Sequence, residues 1–178
     1  MMKFTSLFLS LGVLSSTAWA AIPAKRPAPP VGRILKGEGQ VSGGLAGAGF
    51  TLLDLRRTAD NKKKFERIVI DFGDLQGEPQ KGLPTYFHAE LKKNPHRLVL
   101  DFTQTPNSRV DEGRLSLRLK DSLFVKKSSM ILDPEDKALN LSLDLKADTL
   151  VRISQVKGEK STAKVVIDLF PDRKKTVK

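Results

Sequence analysis

A six-residue cassette recurs along this chain as Arg67-Ile68-Val69-Ile70-Asp71-Phe72, Arg97-Leu98-Val99-Leu100-Asp101-Phe102 and Lys164-Val165-Val166-Ile167-Asp168-Leu169. Its form is base, apolar, Val, apolar, Asp, apolar. Side chains alternate across a β-strand, so each copy sends three large apolar groups to one face and base, Val and Asp to the other. A chain written this way is constrained to amphipathic strands and to sheets with one buried face. A doubly wound parallel sheet, whose strands are apolar on both faces, does not fit.

The same period continues around the cassettes. From Phe50 it predicts strands at residues 50–55 and 65–72, then at 85–91, where Phe87, Ala89 and Leu91 share one face and Tyr86, His88 and Glu90 the other. Pro95 cannot donate to a ladder and belongs in the turn after this strand, so the second cassette returns antiparallel. Leu115, Leu117 and Leu119 alternate with Ser116, Arg118 and Lys120 and predict a strand at 115–119. Further strands are expected at 123–132 and 139–145, with a last hairpin of 151–156 and 163–170 ended by Pro171. About eight or nine short strands, with turn signals between them and no 3.6-period helix, predict an all-β fold: an antiparallel β-sandwich or flattened barrel.

The N-terminus has Lys3 as its only early charge, an apolar run from Phe4 to Leu14, and Ala18-Trp19-Ala20. This is the pattern of a secretory signal peptide over residues 1–20, since the run is shorter than the roughly 20 residues of a membrane span and small residues mark the cleavage site. No cysteine occurs anywhere, which excludes lipid attachment at the cleavage site, disulfides and thiolate metal sites. Residues 21–49, rich in Pro and Gly, are expected to be a flexible lead. They match neither a dinucleotide-binding glycine pattern nor a P-loop. Residues 50–171 are then the β-domain and 172–178 a basic tail, and the roughly 160 residues left after cleavage suffice for one core.

Export changes how the net charge of +11 is read. In a cytosolic protein it would suggest nucleic acid, which an exported chain rarely meets. For a chain exported to the periplasm or cell envelope, the expected partners are anionic wall polymers, acidic glycans or a lipid surface. Simple solubilisation of a sheet by scattered Lys and Arg is the alternative reading of the same charge.

The segment Tyr86-Phe87-His88-Ala89-Glu90-Leu91-Lys92-Lys93-Asn94-Pro95-His96-Arg97-Leu98-Val99-Leu100-Asp101-Phe102 resembles the signature region of AMIN domains, the amidase N-terminal modules of bacterial envelope proteins. The matching features are a tyrosine-bearing strand, an Asn-Pro turn and Arg-Leu-Val-apolar-Asp, and with the flanking strands the resemblance covers residues 50–171. It implies two small sheets packed face to face and a role in localising wall amidases or pilus secretins at peptidoglycan. Neither an amidase nor a secretin domain follows within the chain, so the module is expected to stand alone.

Candidate chemistry is sparse. The two histidines, His88 and His96, fall on opposite faces by period two, so they share no metal site, and a zinc amidase needs more ligands. Asp71, Asp101 and Asp168 suit cross-strand ion pairs, worth about 0.2 to 1 kcal/mol each, better than the paired carboxyls in a cleft that glycoside hydrolysis requires. Ser128-Ser129 lacks the context of a nucleophile. The chain is therefore read as no enzyme, with no cofactor and no metal. What remains is a surface: Tyr86, His88, Lys92, Lys93 and Arg97 lie on or near one face, where a ring beside basic donors can stack a sugar and hold an acidic group. An adaptor that adds a strand to a sheet edge, for example of a secretin or pilus assembly component, is the alternative function.

Overall fold

The computed structural model describes residues 32–47, 49–159 and 162–172. The expected signal peptide, the start of the lead and nearly all of the basic tail lie outside the described residues. Eleven strands and one helix follow in the order β1 (Arg33–Leu35), β2 (Gly39–Gly43), β3 (Thr51–Asp60), β4 (Phe65–Gly73), β5 (Phe87–Lys92), β6 (Arg97–Phe102), β7 (Asn107–Ser108), α1 (Glu112–Leu119), β8 (Val125–Asp133), β9 (Ala138–Leu145), β10 (Thr149–Val156) and β11 (Ala163–Pro171).

The strands form two packed sheets, the all-β sandwich that the alternation predicts. One sheet has the order β1-β10-β11-β4-β3-β7 and the other β2-β5-β6-β9-β8. Every pair is antiparallel except β3 with the short β7. The cassettes are β4, β6 and β11, and their apolar positions fill the space between the sheets: Ile68, Ile70, Leu98, Leu100, Val165 and Ile167 are fully buried. Phe72 of one sheet meets Phe102 of the other with ring centroids 5.0 Å apart, a tilted aromatic contact at the centre of the core.

Two of the cassette aspartates behave as ladder partners. In register across three strands, Arg152, Asp168 and Arg67 lie side by side. Arg67 Nε donates to Asp168 at 2.6 Å and Arg152 Nη2 at 2.6 Å. Asp71 accepts from Lys164 Nζ at 2.7 Å and from Arg56 Nη2 at 2.7 Å. The face is not solvated there as expected, because the long cations close over the carboxylates and leave Asp168 1% and Asp71 5% exposed. The third copy departs from the pattern. Asp101 lies opposite His88 and Asn140, so among the described residues no cation meets it and its Oδ1 is buried without a partner.

Two expectations are corrected. Residues 115–119 are not a strand but part of α1. Asp111 caps the helix, its carboxylate accepting the Arg114 N–H at 2.7 Å, and Leu115 and Leu119, four residues apart, turn to the core while Leu117 stays exposed. The described part of the lead is paired rather than free. β1 adds to β10 and β2 adds to β5, one on each sheet. Gly44 is there for close approach: with φ at +83°, a Cβ on it would stand 2.0 Å from the Thr85 carbonyl oxygen.

Candidate anion-binding site

The outward face of the five-stranded sheet carries the residues singled out from the sequence, and register orders them in rows. Ser42, His88, Asp101 and Asn140 lie side by side, as do Lys92, Arg97, Asp144 and Lys127 at the end marked by the Asn94–Pro95 turn. The Asn94–Pro95 peptide is cis. Tyr86 precedes β5 at the opposite end, six residues from Lys92, which is about 20 Å of extended chain. The predicted residues therefore share a face without forming one pocket.

At the first end, Ser42 Oγ and His88 Nδ1 share a hydrogen bond of 2.9 Å. No hydrogen bond joins His88 to Asp101 among the described residues, so the row lacks the orienting contact of a nucleophilic triad. Tyr86 is anchored through its backbone, donating to Leu45 O and accepting from Thr103 N–H, with its side chain 36% exposed.

At the turn end the chain builds a hollow of about 450 Å³. Lys93 and Arg97 line it from the turn and β6, Lys126 and Lys127 from β8, and Lys146 from the loop after β9, with Asp144 as the one carboxylate in the lining. Arg97 Nε donates to Asp144 at 2.5 Å, and Lys146 Nζ donates to the Ser122 carbonyl at 2.5 Å, so these two cations are held in place. His96, on the same rim, pairs with Asp148 at 3.3 Å. Lys93, Lys126 and Lys127 make no ion pair among the described residues and are exposed. Lys92 stands outside the hollow, paired with Glu90 at 3.1 Å.

The sequence points to Lys93 and Arg97 but not to Lys126, Lys127 or Lys146. Those three reach the turn only through the pairing of β9 with β6 and of β8 with β9. The Lys126-Lys127 doublet was the available signal. Chemically, flexible ammonium groups attract anions as point charges, whereas the Nε of Arg97 is already engaged by Asp144. The hollow is suited to charge density rather than to one shaped anion.

No group of three His, Cys, Asp or Glu side chains that could hold a metal ion occurs among the described residues. No helix among them is long and apolar enough to cross a membrane. No protein-family model matches the chain, and no curated protein does.

Proposed function

We propose that the chain is a non-catalytic, AMIN-like module of the cell envelope that binds peptidoglycan or another anionic envelope polymer through the basic hollow beside the Asn94–Pro95 turn. The observation that carries this reading is the convergence of Lys93, Lys126 and Lys127, free of ion pairs among the described residues, around the held pair of Arg97 and Asp144. The secretory pattern of residues 1–20 supports a location where such polymers occur, and the signature of residues 86–102 supports the family resemblance.

Co-sedimentation of the chain from Ala21 with purified insoluble peptidoglycan tests it. Binding is expected at about 20 mM salt and is expected to weaken steeply by about 0.5 M, where the screening length has fallen to about 4 Å. Joint Lys93→Glu, Lys126→Glu and Lys127→Glu should abolish it. The same reversal at Lys62, Lys63 and Lys64, on the β3–β4 loop of the other sheet, should leave most of it. Absence of binding at low salt overturns the proposal.

A further inference from the structure

A second concavity lies beside the hollow, on the open edge of the same sheet. β8 ends the strand order and hydrogen-bonds only β9, so its outer edge has no strand partner among the described residues. Helix α1 packs against β8 and leaves between them a groove of about 440 Å³. Gly113, Ser116, Leu117 and Lys120 line it from the helix. Their spacing of three, four and seven residues puts them on one helical face. From the strand come Val125, Lys126, Lys127 and Ser128.

This arrangement of an unpaired strand edge facing a helix is the geometry in which an extended segment adds to a sheet. Gly113 and Ser116 are small and leave room for a backbone. Leu117 is 73% exposed at the groove, while Ile131 and Leu132, further along the strand, point to opposite faces of β8. Charge selects the occupant. Lys120, Lys126 and Lys127 line the groove and no carboxylate does. In an added strand, side chains alternate, one set towards Leu117 and the other beside the lysines.

The geometry points to an extended segment of a partner protein, with apolar and acidic residues alternating, docking as an added strand on the outer edge of β8, beside α1. This surface and partner are separate from the polymer-binding hollow. Lys126 and Lys127 line both, so only residues unique to one can tell them apart: Leu117 and Lys120 for the groove, Lys93 for the hollow.

The probe is a fluorescein-labelled peptide of sequence Asp-Leu-Glu-Val-Asp-Val-Glu, titrated with the chain from Ala21 and read by anisotropy. A second peptide of the same sequence, with every amide N-methylated, keeps charge and side chains but cannot donate to the ladder from either edge. The expected result is saturable binding that weakens about ten-fold or more on N-methylation and in Leu117→Ser and Lys120→Glu, while Lys93→Glu stays within about two-fold. Leu117 and Lys120 are exposed, and circular dichroism checks that the variants fold. Equal binding of both peptides, indifference to Leu117→Ser, or no binding up to about 1 mM chain overturns the inference.

Discussion

Asp168 and Asp101 occupy the same place in two copies of one cassette, and their neighbours set them apart. Asp168 has an arginine on each side in register, and the guanidiniums also lie over Phe65 and Phe170, at 5.6 Å and 5.5 Å from the ring centroids. Burial pushes its carboxyl up, but the hydrogen bonds from Arg67 and Arg152 outweigh this and hold it below the ordinary value. Asp71 is held down in the same way, against burial, by Lys164, Thr162 and Arg56. A carboxyl whose folded pKa lies below its unfolded value adds stability that is complete above about pH 4 and is lost as pH falls through the folded pKa. The urea midpoint should therefore fall below about pH 4, and Asp168→Asn should flatten that fall. An unchanged pH slope in the variant would remove Asp168 from the account. Asp168→Ala, which leaves two arginines facing each other, should cost about 3 kcal/mol at pH 7. Tyr86 is a different case, since about 20 Å of strand separates it from the turn end. Tyr86→Ala should leave peptidoglycan sedimentation unchanged, and a large loss would mean that the ligand spans the sheet face.

Among the elements, the strands were legible because a buried face needs the same side-chain class at every second position, and the cassettes write that without interruption. α1 was not legible from the same rule. Leu115-Ser116-Leu117-Arg118-Leu119 satisfies period two, yet Leu115 and Leu119 also satisfy the helical spacing of four, and five residues do not separate the two. The deciding signal stood upstream, in Asp111 as an N-cap residue followed by Glu112 in the first turn. Asp111→Ala should cost about 1 kcal/mol in urea unfolding, as loss of an N-cap does, and Leu115→Ala about 3 kcal/mol for a fully buried leucine. Behind α1 a buried glutamate had no sequence signal either. Glu66 is 0% exposed and accepts from Ser122 Oγ at 2.6 Å and Leu123 N–H at 2.7 Å, while Arg57 donates to the Arg118 and Asp121 carbonyls. Its carboxylate fixes the chain leaving the helix. The candidate site was legible only in half for a related reason. Lys93 and Arg97 lie within one hairpin, while Lys126 and Lys127 arrive by pairing between strands distant in sequence.

At the scale of the molecule, the sandwich is joined along both sides by segments that the sequence does not mark as strands of the core. α1 packs against β3 of one sheet and β8 of the other. On the opposite side, the chain from β1 to β2 leaves the β10 edge and joins the β5 edge within a few residues, stitching the sheets together. Leu35 in β1 is 5% exposed, Val41 in β2 packs against the core, and Lys36 pairs with Asp172 at 3.2 Å. Glycine-rich composition suggested a tether because glycine lowers the cost of disorder, but here it lets strand backbones approach where a Cβ would collide with Phe87 or Thr85. The two readings separate cleanly in a truncation. A chain starting at Ala48 loses both edge strands, uncovers the β5 and β10 ladders and removes Leu35 from the core, which together should lower stability by at least about 3 kcal/mol. A chain starting at Gly32 keeps them. If urea unfolding gave the same midpoint for both truncations, β1 and β2 would be ornaments on the sandwich; a lower midpoint with Ala48, and increased aggregation through the exposed edges, is the outcome that the register requires.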